Sequence, residues 1–206
     1  MNDKMAFLDE VYGFEDAGQT QAFYGRWAAS YDAELRANGY ASPARVAHAM
    51  AAHVTDAAAP LLDLGCGTGL SGEAFAQAGF SCVDGTDFSA EMLAVAEQKD
   101  VYRNLARSDL AEPLPAEHGA YANIAAVGVF SPGHAPAEMI DNVVEILPAG
   151  GCFGFTLNDH AIEEEVYEAR VRALEAEGAI EIAWEDYGPH LPRLDLGARI
   201  YILRAA

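Results

Sequence analysis

A chain of 206 residues with a formal charge of −20 and about half its residues apolar has the length for one domain with a substantial core and the composition of an ordinary globular protein. Twelve Lys and Arg against thirty-two Asp and Glu argue against a nucleic-acid substrate, because affinity for a phosphate backbone comes mostly from cationic side chains. No apolar run reaches the roughly 18 residues of a membrane span, and Met1–Met5 lacks the basic flank and apolar stretch of a secretory leader, so a cytoplasmic location is expected.

Residues 1–19 carry little periodic signal. From Thr20 the pattern turns helical, and Phe23, Trp27 and Tyr31 recur at four-residue spacing, with Tyr24 beside them, as an aromatic stripe on one helix face. Pro43 opens a second helix, Ala44–His53, for which Ser42 is the expected N-cap. A buried strand follows at Pro60–Leu64, then a glycine-rich turn, then a helix over Ser71–Ala78 that Gly79 ends. Phe80–Asp87 reads as the next strand, Ser89–Lys99 as a helix and Tyr102–Arg107 as a short strand. Beyond a loop with Pro113 and Pro115 comes the apolar strand Ala122–Val129, a helix over Pro136–Leu147 and the turn Pro148-Ala149-Gly150-Gly151. Strand Cys152–Leu157 leads to one long acidic helix, Ala161–Glu177, closed by Gly178. Two β-rich runs, Ile180–Asp186 and Ala198–Leu203, suit an antiparallel hairpin whose loop holds Pro189 and Pro192.

Strands that alternate with helices five times imply right-handed crossovers. The expected fold is therefore α/β: a Rossmann-like, seven-stranded, mostly parallel sheet with a C-terminal antiparallel hairpin, helices on both faces and N-terminal lid helices. Residues 1–55 are expected as the helical extension, packed over the C-terminal edge of the sheet, and 56–206 as the main unit. Ligands in such sheets bind at that edge. Cys66, Cys82 and Cys152 are odd in number and widely spaced, which suggests reduced, buried thiols and no metal or disulfide framework.

The most informative stretch is Leu61-Leu62-Asp63-Leu64-Gly65-Cys66-Gly67-Thr68-Gly69, a strand that runs into a glycine turn and the start of a helix. Such a turn lets a ligand lie on the main chain, under the unpaired N–H groups of the helix that follows. Gly67-x-Gly69-x-x-Gly72, with Asp87 downstream, also satisfies a dinucleotide fingerprint. Against that reading, Asp63 at the strand's end would repel a pyrophosphate and suits a positive amino group. No residues remain for a separate substrate domain, and a final hairpin is not the usual dinucleotide ending. A phosphate loop is excluded because no Gly-Lys-Ser/Thr follows.

The Leu61–Gly69 stretch resembles the first motif of the class I S-adenosylmethionine-dependent methyltransferases. Gly85-Thr86-Asp87-Phe88-Ser89-Ala90-Glu91-Met92-Leu93 is similar to their second-strand motif, and Leu147–Gly151 to the turn before their fifth strand. Tyr24–Asp32 and Val127–His134 look nearest to the Williams–Beuren-region methyltransferase-like group. The resemblance implies S-adenosylmethionine as the cofactor, converted to S-adenosylhomocysteine. Gly65, Cys66, Gly67 and Gly69 would approach its methionine moiety, and Asp63 would take the ammonium, directly or through water. Asp87 would accept both ribose hydroxyls, since a carboxylate matches two donors with two oxygens. Phe88 and Met92 would flank adenine, Asp109 beside Leu110 would receive its amino group, and Val127 and Gly128 would pass under the sulfonium. Tyr24, Trp27 and Tyr31 would close over the cofactor, rings toward the cation.

The expected activity is in-line methyl transfer to a small-molecule acceptor. A protein methyltransferase and a non-catalytic cofactor-binding protein are the alternatives. A base is needed only where the acceptor must lose a proton, and His134, in the loop after the fourth strand, is the candidate. Asn158 and His160 face the same edge, whereas His48, His53, His118 and His190 carry no signal. No metal site is expected. Acceptor atom and oligomeric state are left open by the sequence.

Overall fold

A computed structural model describes residues 30–110, 112, 114, 116–131 and 134–206. Residues 30–37 are helical, followed by α1 (Ser42–His53), β1 (Leu61–Leu64), α2 (Leu70–Gln77), β2 (Val83–Asp87), α3 (Ala90–Glu97) and β3 (Asn104–Arg107). Then come β4 (Asn123–Phe130), α4 (Glu138–Ile146), β5 (Cys152–Asn158), α5 (Asp159–Glu163), α6 (Val166–Ala176), β6 (Ile180–Leu191) and β7 (Leu196–Ala205). The seven strands form one sheet in the order β3-β2-β1-β4-β5-β7-β6. The first five are parallel and β7 pairs antiparallel with both β5 and β6.

The near-continuous apolar strands are explained by burial on both faces. Alternate residues feed two cores. Leu62, Ile124, Ala126, Tyr201 and Leu203 face α4 and α6, whereas Leu61, Ala125, Val127, Ile200 and Ile202 face α1 and α2. On the first face Phe153 and Phe155 stack, with ring centroids 4.7 Å apart, and Phe155 stacks in turn on Tyr201 at 5.4 Å. On the second face Gly154 leaves room for Met50 of α1, whose Sδ would lie 2.5 Å from a Cβ there.

Four expectations change. Helix α1 does not cap the sheet edge; Val46, Ala47, Ala49 and Met50 bury it against one face of the sheet. Ser42 is not its N-cap, a position held by Ala41; the Ser42 hydroxyl instead meets His190 Nδ1 at 2.7 Å. The long acidic helix is two helices, separated where Glu165 takes φ +55. Finally, Pro189 belongs to β6, where an edge strand tolerates a residue without an N–H, and only 192–195 turn the hairpin. Cys66 and Cys152 are buried free thiols, but Cys82 is only half-buried.

Candidate active site

Between β1 and β4 the direction of chain crossover reverses, and the crevice beyond the carboxyl ends of the strands at such a point is where open α/β sheets bind ligands. Three glycines take positive φ in the turn after β1: Gly65 at +65, Gly67 at +54 and Gly69 at +90. Their reasons differ. A Cβ at Gly65 would lie 2.7 Å from Val129 of β4, so it permits loop and strand to touch, whereas one at Gly67 would meet nothing within 4 Å. Gly67, half-buried, is thus the part of the cradle with open space above its backbone.

Asp63, next to last in β1, has no exposure at all. Its Oδ2 accepts hydrogen bonds from Ser71 (2.6 Å) and Tyr102 (2.7 Å), while Oδ1 is buried and lacks a partner in the protein. Burial pushes its pKa up to about 7, against the lowering effect of those two donors and with a further rise from Asp87. Asp87 ends β2, 7% exposed, and accepts from the backbone N–H groups of Gly67 and Ser89, each at 2.9 Å. Burial raises this carboxyl too. A carboxylate has about four acceptor sites, so Asp87 keeps acceptor capacity beyond these backbone donors.

Cys66 contributes only main chain. Its thiol points below the loop toward Gly85, its N–H is bonded to Thr86, and burial raises the thiol pKa well above normal. Leu110 reaches Gly65, within 3.8 Å of a Cβ placed there, while Asp109 is exposed beyond β3. Phe88 is half-buried, and Met92 is 2% exposed with its N–H capped by the Ser89 hydroxyl. Val127 is buried in the second core. Gly128 is exposed, has φ +73 and donates its N–H to Thr156 Oγ1 at 2.8 Å, at a break in the β4–β5 register. His134 is half-buried, with Nδ1 3.0 Å from Ser131 Oγ. Asn158 caps α5 and His160 is half-buried on it. Tyr31 is half-buried on the 30–37 helix; Tyr24 and Trp27 lie outside the described residues. Among the described residues no group of His, Cys, Asp and Glu could hold a metal, and no helix is long and apolar enough to cross a membrane.

Several contributors were not foreseen. Tyr102 lies beneath the loop, donating to Asp63 and accepting the Gly72 N–H at 3.0 Å. A Cβ at Gly72 would lie 2.3 Å from its ring, so the third glycine of the fingerprint makes room for a tyrosine. The 30–37 helix is tied to the loop: Thr68 donates to Asp32 at 2.5 Å, and Asp32 also receives Lys99 at 2.5 Å. Arg36 reaches Glu73 at 2.7 Å. Tyr40 and His190 complete the wall beside Gly128, the Tyr40 hydroxyl 2.7 Å from where a Gly128 Cβ would be. A signal for Tyr102 existed in the surplus glycines at 72 and 85; Tyr40 and His190 had none.

An acid near the end of β1, a glycine cradle and an acid at the end of β2 that supports the cradle make up a candidate nucleoside-cofactor site at a switch point. The chain belongs to the class I S-adenosylmethionine-dependent methyltransferases. A methyltransferase-domain family matches residues 61–151. Methyltransferase-like protein 27 of Homo sapiens is 31% identical over 181 residues, covering 84% of this chain and 74% of that protein. The 18S rRNA (guanine-N(7))-methyltransferase RID2 of Arabidopsis thaliana is 42% identical over only 59 residues, 29% of this chain and 20% of that one. The fold is similar to the methyltransferase in a complex with the Haloferax volcanii Trm112 methyltransferase activator, at TM-score 0.66 and 18% identity over 87% of this chain and 96% of that one. It is also similar to a Thiobacillus denitrificans S-adenosylmethionine-dependent methyltransferase in complex with S-adenosyl-L-homocysteine, at TM-score 0.56 and 13% identity over 79% and 91%. The enzyme uses S-adenosylmethionine, and the residues present fit it: an orphaned carboxylate oxygen for an ammonium, an open glycine backbone and a second carboxylate with acceptor capacity to spare.

Proposed function

We propose that this methyltransferase acts on a small-molecule acceptor. The observation that carries the reading is the strap formed by residues 30–42. On one side Asp32 and Arg36 fasten it to Thr68, Lys99 and Glu73; on the other, the Ala41 N–H donates to the His190 carbonyl of β6 at 2.9 Å. A strap held at both ends, with Tyr40 over Gly128, suits a narrow entrance and a small guest. In this reading the covering part of residues 1–55 is the strap, with Tyr31 near its start, while α1 packs with the catalytic body of 56–206.

S-adenosylmethionine supplies an already activated methyl group. The chain's task is positioning and exclusion of water, worth roughly 7–11 kcal/mol in favourable cases. Asp63 Oδ1 would hold the ammonium, Asp87 the ribose hydroxyls, and Phe88, Met92, Asp109 and Leu110 the adenine. For an acceptor that must lose a proton, His134 serves as base. Its Nδ1 lies 3.0 Å from Ser131 Oγ, a contact that orients the ring.

A macromolecular acceptor is the competing reading. RID2 is named for an rRNA substrate, and one similar structure has an activator partner, so nucleic acid remains an acceptor to test, against the weight of a −20 charge. Incubation with methyl-labelled S-adenosylmethionine and cell extract, fractionated into small molecules, protein and RNA, separates these. Label is expected in the small-molecule fraction; label confined to protein or RNA would reverse the assignment.

A further inference from the structure

We infer that the Tyr40 hydroxyl oxygen contacts the sulfonium end of the cofactor, at the point from which the methyl group leaves; this rests on the methyltransferase reading of the crevice. Tyr40 is held from three sides. Its N–H donates to Leu35 at the end of the 30–37 helix, and the next residue is bonded to His190 of β6. Before it, Gly39 turns at φ +77 against Pro192, whose Cγ is 3.1 Å from a Cβ placed there. The ring then stands edge-on to His190, with centroids 5.2 Å apart and planes at 87°. His190 is itself 4% exposed and fixed by Ser42. Burial holds the His190 pKa down at about 4, so a neutral imidazole backs the tyrosine at physiological pH.

This clamp aims the hydroxyl over Gly128, the exposed residue at the β4 bulge, and a side chain at position 128 would collide with it. The next residue, Val129, touches Gly65 of the cradle. Hydroxyl, bulge and cradle therefore share one crevice. A phenol oxygen presents lone pairs, which attract a sulfonium but gain little from the neutral thioether left after transfer. Tyr40 thereby discriminates cofactor from product, a preference the backbone of the cradle cannot supply.

Calorimetric titration of wild type and Tyr40→Phe with S-adenosylmethionine and S-adenosylhomocysteine tests this without knowledge of the acceptor. The variant keeps the ring against His190. Removing one contact to a charged group should weaken S-adenosylmethionine by roughly five- to tenfold and leave S-adenosylhomocysteine within about twofold. An unchanged ratio of the two affinities overturns the inference while the site stands. Wild-type protein that binds neither ligand overturns the site itself. Independently of any variant, S-adenosylmethionine should shield Tyr40 of the wild type from nitration by tetranitromethane, read by peptide mass. Equal nitration with and without it also contradicts the contact.

Discussion

At the scale of single residues, Asp63 is the group whose chemistry is most altered by its place in the fold. Its ordinary pKa of 3.8 rises to about 7 through burial. A raised carboxyl stabilises the native state while protonated; as pH climbs from about 4 toward 7 the unfolded chain releases the proton first, and stability falls by up to about 1.4 kcal/mol per pH unit. Asp63→Asn removes that dependence. Thermal melts at pH 5, 6, 7 and 8 should show the variant gaining on wild type until about pH 7 and then levelling, and a difference that ignores pH would contradict it. A cationic amino group bound at Oδ1 favours the ionised form, so the same substitution should weaken S-adenosylmethionine. Gly72 makes a separate claim. Its Ala variant must displace the Tyr102 ring, which should cost roughly 1–3 kcal/mol by denaturant titration. Full stability in Gly72→Ala would mean that Tyr102 yields freely.

Among the elements, strands and helices that obey one dominant constraint were legible. Strands β1, β4 and β5 are short apolar runs between turn residues, and α3 begins where expected, with Ser89 as its cap. Where two anchors compete, local pattern was silent. Residues 161–177 contain no glycine or proline before Gly178, yet the helix breaks. Asp159 at the start of α5 is fastened to the hairpin by Tyr187 and Gly197, while α6 is fastened to α4 by the Arg170–Asp141 pair. Two attachments with different directions need a joint, and Glu165 supplies it. The strap over residues 30–42 is likewise a tertiary product. Its Asp32–Lys99 pair is partly sheltered, with Lys99 12% exposed, and should be worth more than an open surface pair. Asp32→Ala should speed amide hydrogen exchange across 30–40 several-fold with the melting temperature nearly unchanged. Unaltered exchange there would show that the strap is held by packing alone.

For the molecule as a whole, the alternation of βα units and the final hairpin made the architecture readable, because a parallel sheet buried on both faces leaves few other ways to arrange such a chain. The residues at the carboxyl ends of β1 and β2 were readable for the same reason: the fold fixes where strand ends meet. Tyr40 and His190 were not, since each comes to the site by packing from a segment that has no motif of its own, and Tyr102 left only an indirect trace in the glycines at 72 and 85 that make room for it. Asp63, the glycine cradle and Asp87 are proposed to form one binding site for S-adenosylmethionine. Titration calorimetry of wild type and Asp87→Ala tests it most directly, with circular dichroism to establish that the variant is folded. Wild type should bind S-adenosylmethionine and S-adenosylhomocysteine below millimolar, and the folded variant should lose at least about a hundredfold, as expected when two charge-assisted hydrogen bonds are removed. Wild-type affinity in Asp87→Ala would contradict the assignment.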